Sequence, residues 1–264
     1  MKKNQNSHLV WDNIWDNYNN EFDFEALNVE LTKSKKTETW KRYTELVKDK
    51  FGGWENVVSI ELGSGLGNHS LMAASEGASV YLLDYSKPAL ELAEKKFAAL
   101  KLKGNFLYGN AFDLDLFKKV NFNLSWSFGT AEHFEGQIRK DFFNLHFDYI
   151  VKDGVTIISC PYKYAINYRI WMHYALKFKE WDYGLEIPFS KSEYVSLLKK
   201  TPNKLIEIYF DEGRPCLSKA IKILKKHSKF RYLSLGYLLR LGKKLKLKIS
   251  PFYFRSIILI AEKV

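Results

Sequence analysis

Two cysteines in 264 residues, Cys160 and Cys216, are too few for a disulfide framework or a structural zinc site. No apolar run nears the ~18 residues that a membrane-spanning helix needs; the one from Ile257 to Ala261 is far shorter. The opening residues, Met1 to Trp11, are polar and lack the apolar centre of a secretory signal, so the expected setting is the cytoplasm. Low-complexity tracts and internal repeats are missing as well. Disorder as the main state is excluded by what is present: 46% hydrophobic and 16% aromatic residues can fill a core. The length suits one large domain with added elements.

Acids are nearly absent from one segment. The net charge is +11, yet residues 213–264 hold fourteen Lys and Arg against Glu262 alone, while residues 1–212 hold 27 basic side chains against 29 acids. The body is close to neutral, so overall charge says little about what it binds, and the basic segment is a separate question.

Residues 8–50 read as helices: Trp11, Trp15 and Tyr18 share one face of a 3.6-residue period, and Trp40, Tyr43, Leu46 and Val47 repeat the pattern before Gly52 and Gly53. Short apolar runs over 57–62, 78–83, 105–108, 121–127 and 155–159 read as strands, the last broken by Pro161, with helices over 69–76, 87–101 and 136–149 between them. Such alternation predicts a doubly wound α/β sheet. Residues 162–187 form an irregular aromatic stretch, Ser190 caps a helix to about Lys200, and 205–210 and 252–261 are two last strands. The expected division is a helical cap over 1–50 and a main domain over 51–264, carrying an aromatic insert at 162–187 and a basic one at 214–251.

The strongest local signal is Glu61-Leu62-Gly63-Ser64-Gly65-Leu66-Gly67-Asn68. Strand, glycine loop and helix are how α/β folds cradle a nucleotide-like cofactor at the carboxyl edge of the sheet. The dinucleotide pattern needs a third glycine at position 68, where Asn stands, and Glu61 would face a pyrophosphate badly. A cofactor with a positive ammonium and no phosphate tolerates that acid better. The Walker pattern is absent. Asp84 closes the second strand, where an acid can accept both hydroxyls of a ribose. Gly109 to Asp113 closes the third strand and Ser125 to Phe134 the fourth, so every cluster falls at the ligand-binding edge.

With these motifs in this order, the chain resembles the class I S-adenosylmethionine-dependent methyltransferases of small-molecule type: "ELGSGLG", "LLDYS", "GNAFDL" and "SWSFGTAEHF" stand at family spacing over about residues 57–212. The resemblance implies a mostly parallel seven-stranded sheet whose last strand, at 252–261, runs in reverse. It also implies S-adenosyl-L-methionine as cofactor. Glu61, Gly63, Ser64, Gly65 and Gly67 would hold its methionine moiety, and Asp84 its ribose hydroxyls, with Tyr85 against the adenine. Asn110, where the family usually has Asp, would accept from the adenine amino group without charge assistance. Ala111 and Phe112 would meet the adenine through an amide and a ring face, and Ser127 would lie near the sulfonium. No metal is implied.

Methyl transfer to a hydroxyl or ammonium also needs a base, and Glu132-His133 just past the fourth strand is the candidate pair, with His133 as base. The competing reading of the pair is a helix start that caps or hydrogen-bonds. Amino-adenine methylation wants an Asn/Asp-Pro-Pro-aromatic turn, which Ser127-Phe128-Gly129 is not. Cytosine methylation wants a thiolate; Cys160 lacks the companion Pro-Cys and reads as core. The expected substrate is a small or lipid-like molecule, walled by the rings of 162–187 unless these pack as an insert with its own core. Trp11, Trp15 and Tyr18 either lid the cofactor or pack on the sheet. A binder that keeps the fold without catalysis is the alternative from another class.

The basic insert holds eleven Lys or Arg and no acid between Lys219 and Lys248. Ala220, Ile223, Leu224 and His227 share one helical face, with lysines around the rest. Such a helix can lie in an anionic membrane interface, track an RNA backbone, or remain a solvated cap. Its leucines and aromatics exceed what phosphate tracking needs, so peripheral membrane contact is preferred over nucleic acid.

Overall fold

The structure is a computed structural model that describes residues 7–20, 23–113, 120–211, 217–227 and 255–264. Three helices come first: α1 (Ser7–Asn20), α2 (Leu27–Lys35) and α3 (Glu38–Phe51). Thr37 caps α3 by accepting the Trp40 N–H, and Gly52, at φ 82°, ends it. Then β1 (Val58–Leu62), α4 (Asn68–Ala74), β2 (Ser79–Asp84), α5 (Lys87–Ala99), β3 (Asn105–Tyr108), β4 (Phe122–Phe128), α6 (Gly136–Asp148) and β5 (Ile150–Pro161) alternate strand and helix. The chain ends with α7 (Ile166–Lys177), α8 (Lys191–Leu198), β6 (Lys204–Asp211), α9 (Leu217–His227) and β7 (Ser256–Glu262).

The seven strands lie in the order β3-β2-β1-β4-β5-β7-β6, and β7 alone runs against its neighbours. This is the doubly wound, mostly parallel sheet with a reversed last strand. The apolar alternation assigns the faces. Val80, Leu82, Leu124, Trp126, Val155 and Ile157 meet α3, α4 and α5 on one side. Ile60, Leu62, Leu83, Ile158, Leu259 and Ala261 meet α6 and α8 on the other. The strand order reverses between β1 and β4, so a crevice opens there at the carboxyl edge.

Two expectations are corrected. Pro161 does not break β5; the strand spans twelve residues and Pro161 pairs with Ser256 of β7 at its last position, where a missing N–H is tolerated. The aromatic stretch is not irregular, because α7 forms in it. Tyr168, Trp171 and Ala175, at helical spacing, bury one face against Ala220 and Ile223 of α9, making a third small core. Most of the basic insert, and Cys216, lie outside the described residues; within α9, Ala220, Ile223 and Leu224 form the buried face, and His227 is exposed.

Candidate active site

The glycine loop turns between β1 and α4. Gly67 has φ 60°, and a Cβ there would stand 2.1 Å from Leu82 Cδ2, so both backbone angle and packing demand glycine. At Gly63 a Cβ would stand 2.5 Å from Thr130 Cγ2. Thr130 also donates its hydroxyl to the Gly63 carbonyl at 3.2 Å, fastening the loop after β4 to the loop after β1. Ser64 is buried, and its Oγ has no partner in the protein, which leaves an unsatisfied polar group within the glycine loop.

The acids of the crevice are held differently. Glu61 is buried and accepts from the Ser70 hydroxyl at 2.5 Å and the Ser70 N–H at 3.2 Å, so its carboxylate faces α4. Burial pushes its pKa up to about 7, against the pull of these bonds and of Lys96. Asp84, 8% exposed, accepts the Gly65 N–H at 2.7 Å and the Ser86 N–H at 2.9 Å. Each carboxylate oxygen keeps a lone pair for a further donor. Burial raises its pKa as well, while the same amide bonds lower it.

Lys96 is a buried residue beside the glycine loop that sequence reasoning missed. It sits on the inner face of α5, only 1% exposed, and its Nζ donates to the Leu66 carbonyl at 3.0 Å and to Asn68 Oδ1. One ammonium thus holds the glycine loop from beneath. Burial lowers its pKa to about 8, against the attraction of Glu61. The available signal was its register, since Ala89, Leu92, Ala93 and Lys96 fall on one buried stripe.

Helix α1 lies across this edge. Asp12 accepts the Ser86 hydroxyl at 2.6 Å, the Trp15 ring stands 3.1 Å from where a Gly65 Cβ would be, and Trp11 packs edge-on to His133 at 4.9 Å. The helix therefore runs from the end of β2, over the glycine loop, to the loop after β4. Tyr18 is largely exposed, so Trp11 and Trp15 carry the contact.

After β3, Asn110 Oδ1 accepts the Phe112 N–H at 3.0 Å, so its side-chain oxygen already serves a local turn. The Ala111 carbonyl accepts from Tyr149 Oη at 2.8 Å, and the Phe112 ring, 37% exposed, leans on Phe134. Tyr85, half-buried, follows Asp84 at the same edge. Ser127 is buried, and its hydroxyl bonds His146 Nε2 at 3.0 Å inside the core, so only its main chain is left for the crevice.

The loop after β4 brings Glu132 and His133 to the edge in a short 3-10 turn. His133 Nδ1 lies 2.6 Å from the Leu185 carbonyl oxygen, which can only accept. Nδ1 therefore carries the proton and Nε2 keeps a lone pair. Burial lowers the pKa of His133, partly countered by hydrogen bonds to the Leu185 and Gly129 backbone, so the ring is neutral at pH 7. Glu132 is buried, with Oε2 unpartnered. Burial, then the charge of Glu186, pushes its pKa up to about 8, which keeps it largely protonated. Arg139, also unforeseen from sequence, bonds Glu193 at 2.7 Å and the Ile187 carbonyl at 2.8 Å and stacks 3.5 Å over Phe189, pinning this loop to the segment around 187. Cys160 is a buried core thiol whose pKa burial lifts far up, which makes it inert as a nucleophile.

The rings after β5 pack on one another: Trp171, Trp181 and Tyr183 have centroids 5.0 to 5.8 Å apart. Tyr183 reaches Trp11 at 6.4 Å and so touches the edge of the crevice, while Tyr168 and Trp171 belong to the α7–α9 core. The polar end of S-adenosylmethionine fits this edge on three counts: an orphaned Ser64 hydroxyl, spare acceptor capacity on Asp84, and glycines where a Cβ would collide.

Residues 60–154 match the family model described as a methyltransferase domain. No curated protein matches the chain. Among solved structures it is similar to magnesium protoporphyrin IX methyltransferase from Synechocystis PCC 6803 with bound SAH, at 13% identity and TM-score 0.57 over 86% of this chain and 83% of that one. It is similar to a putative sarcosine dimethylglycine methyltransferase from Galdieria sulphuraria, at 15% identity and TM-score 0.55 over 86% and 87%. It is also similar to geranyl diphosphate C-methyltransferase from Streptomyces coelicolor A3(2), at 15% identity and TM-score 0.53 over 85% and 79%. At these identities the three structures bear on the fold.

Proposed function

From the premise that the chain carries a class I S-adenosylmethionine-dependent methyltransferase domain, we propose that it methylates a hydroxyl or amine of a small or lipid-like molecule, with His133 removing the acceptor's proton. The observation that carries this reading is the His133–Leu185 bond, which in the neutral imidazole puts the proton on Nδ1 and the lone pair on Nε2, in the turn just past β4.

The cofactor supplies a methyl group already activated by its sulfonium. The protein's part is to bind, orient and exclude water, which can supply ~7–11 kcal/mol of the barrier. Main-chain groups of Gly63, Gly65 and Gly67 and the Ser64 hydroxyl hold the methionine end, with Glu61 stiffening the loop through Ser70. Asp84 holds the ribose hydroxyls. Tyr85, Ala111 and Phe112 flank the adenine, and Asn110 shapes the turn that presents them. Ser127 contributes its main chain. Helix α1 covers the bound cofactor with Trp15, and Trp11 and Tyr183 line the way to the acceptor. His133 Nε2 takes the proton, a contribution of ~10²–10⁴-fold. Glu132, largely protonated, positions the loop and is not the base.

Incubation with methyl-tritiated S-adenosylmethionine and fractionated cell extract tests the reading. The expected result is label in an extractable small molecule. Label in RNA or protein alone, or no transfer by a protein that binds the cofactor calorimetrically, overturns it. His133→Asn keeps a donor for the Leu185 carbonyl while removing the base, so turnover falls ~10²–10⁴-fold with cofactor affinity unchanged. Loss of both together would mark His133 as structural.

A further inference from the structure

Helices α7 and α9 lie side by side and contain no acidic residue: α7 carries Arg169 and Lys177, and α9 carries Lys219, Lys222, Lys225 and Lys226. Their apolar faces are spent on each other. Some of the charge is taken up locally, because Glu180 binds Lys226 at 2.8 Å and His227 at 2.5 Å, and Lys219 lies 4.2 Å over the Trp171 ring. Arg169, Lys177, Lys222 and Lys225 are exposed and have no acidic partner among the described residues.

Between these cations stand aliphatic side chains that the fold leaves in water. Ile166 is 41% exposed and Leu176 54% exposed. Positions 166, 169, 173 and 176 fall on one face of α7, opposite the buried Tyr168, Trp171 and Ala175, so apolar and cationic groups share the outward face. A shallow groove lined by Ile166, Arg169, Ile170, His173 and Tyr174 runs along it.

We propose that the outward face of α7, with Arg169 and Lys177 beside Ile166 and Leu176, forms a docking surface for an anionic lipid bilayer, and that the lysines of α9 add longer-range attraction. Each cation near such a surface strengthens partition about fivefold, and exposed aliphatics gain by entering the acyl boundary. A nucleic acid would use the cations and leave Ile166 and Leu176 in water. The helix itself lies near the crevice, because α7 follows the carboxyl end of β5 and Trp171 on its buried face leads through Tyr183 and Trp11 to His133. Docking would therefore hold the acceptor opening near the lipid. It requires nothing of the transfer chemistry, so it stands apart from the reading of His133.

The test is co-sedimentation of the full chain with phosphatidylcholine vesicles with and without phosphatidylglycerol. Binding is expected only to the anionic vesicles and weakens as salt rises. Arg169→Gln with Lys177→Gln should lower partition about 25-fold, the product of two fivefold losses. Leu176→Asp should lower it further, and all three sites are exposed, so the thermal midpoint should stay at the parent value. No binding by the parent chain, or binding untouched by these variants, overturns the proposal. Salt-sensitive binding of homopolymeric RNA that drops with Arg169 and Lys177, without vesicle binding, would make the face a nucleic-acid surface and overturn it as well.

Discussion

Replacing Lys96 by Met tests whether a buried ammonium holds the cofactor loop. The change leaves the Leu66 carbonyl and Asn68 Oδ1 without the donor they now share, at a cost of about 1–3 kcal/mol for each unpaired buried acceptor. It also removes a charge that burial opposes, and pH separates the two effects. The folded-state pKa of Lys96 is about 8 against an ordinary 10.5, so between those values the unfolded chain holds a proton that the folded chain does not. Stability must then rise with pH across that window, by at most ~3 kcal/mol. In a chain of this size 1 kcal/mol moves the thermal midpoint by roughly 2–4 °C. The midpoint of the parent minus that of K96M should therefore grow by up to roughly 6–12 °C between pH 8 and 10.5, followed by circular dichroism. Calorimetry at pH 7.5 should show the variant's affinity for S-adenosylmethionine reduced about tenfold through its loosened turn. A midpoint difference that stays flat with pH would refute the buried-ammonium reasoning, and an unchanged affinity would remove Lys96 from the loop's support.

Asp84→Asn loses the charge and leaves one acceptor oxygen where the Gly65 and Ser86 amides now bond separate oxygens; cofactor affinity should fall tenfold or more with the circular-dichroism spectrum unchanged, since charge-assisted bonds are about twice as strong as neutral ones, and unchanged affinity would remove the ribose assignment. Trp15→Ala uncovers Gly65, so cofactor release in stopped-flow should quicken severalfold; an unaltered rate would mean that α1 only packs. Cys160 should resist thiol reagents in the native protein and react on unfolding, because its thiol is buried with a raised pKa; rapid native labelling would contradict the burial.

Much of the sheet was legible because buried parallel strands read as uninterrupted apolar runs, and those around Val58–Leu62 and Ser79–Asp84 end on glycine and an acid that no core would choose. Helix α7 was not legible. Its buried positions are correctly spaced, but Tyr162, Tyr164, Tyr174 and Phe178 around them blur the period, and the partner that makes burial worthwhile, α9, arrives about 40 residues later. Pro161 misled for a related reason: a proline ends a strand only where its missing N–H is needed, and at the last position of β5 it is not.

The site divides along the same line. Positions whose role is set by the backbone, Gly67 above all, announce themselves, because only glycine survives both the angle and the approach of Leu82. Positions whose role is set by a distant partner do not. Lys96 resembles any solvated lysine until the Leu66 carbonyl, thirty residues earlier, is laid against it. His133 is only a histidine near a helix until Leu185, 52 residues on, fixes which nitrogen holds the proton. Ser127 shows the converse, since its place in the motif put it beside the reacting atoms while His146 draws its hydroxyl into the core. Main-chain motifs therefore specify the cofactor. The chemistry proposed for the acceptor would rest on a long-range pair, the His133–Leu185 bond, whose disruption should slow transfer while sparing binding.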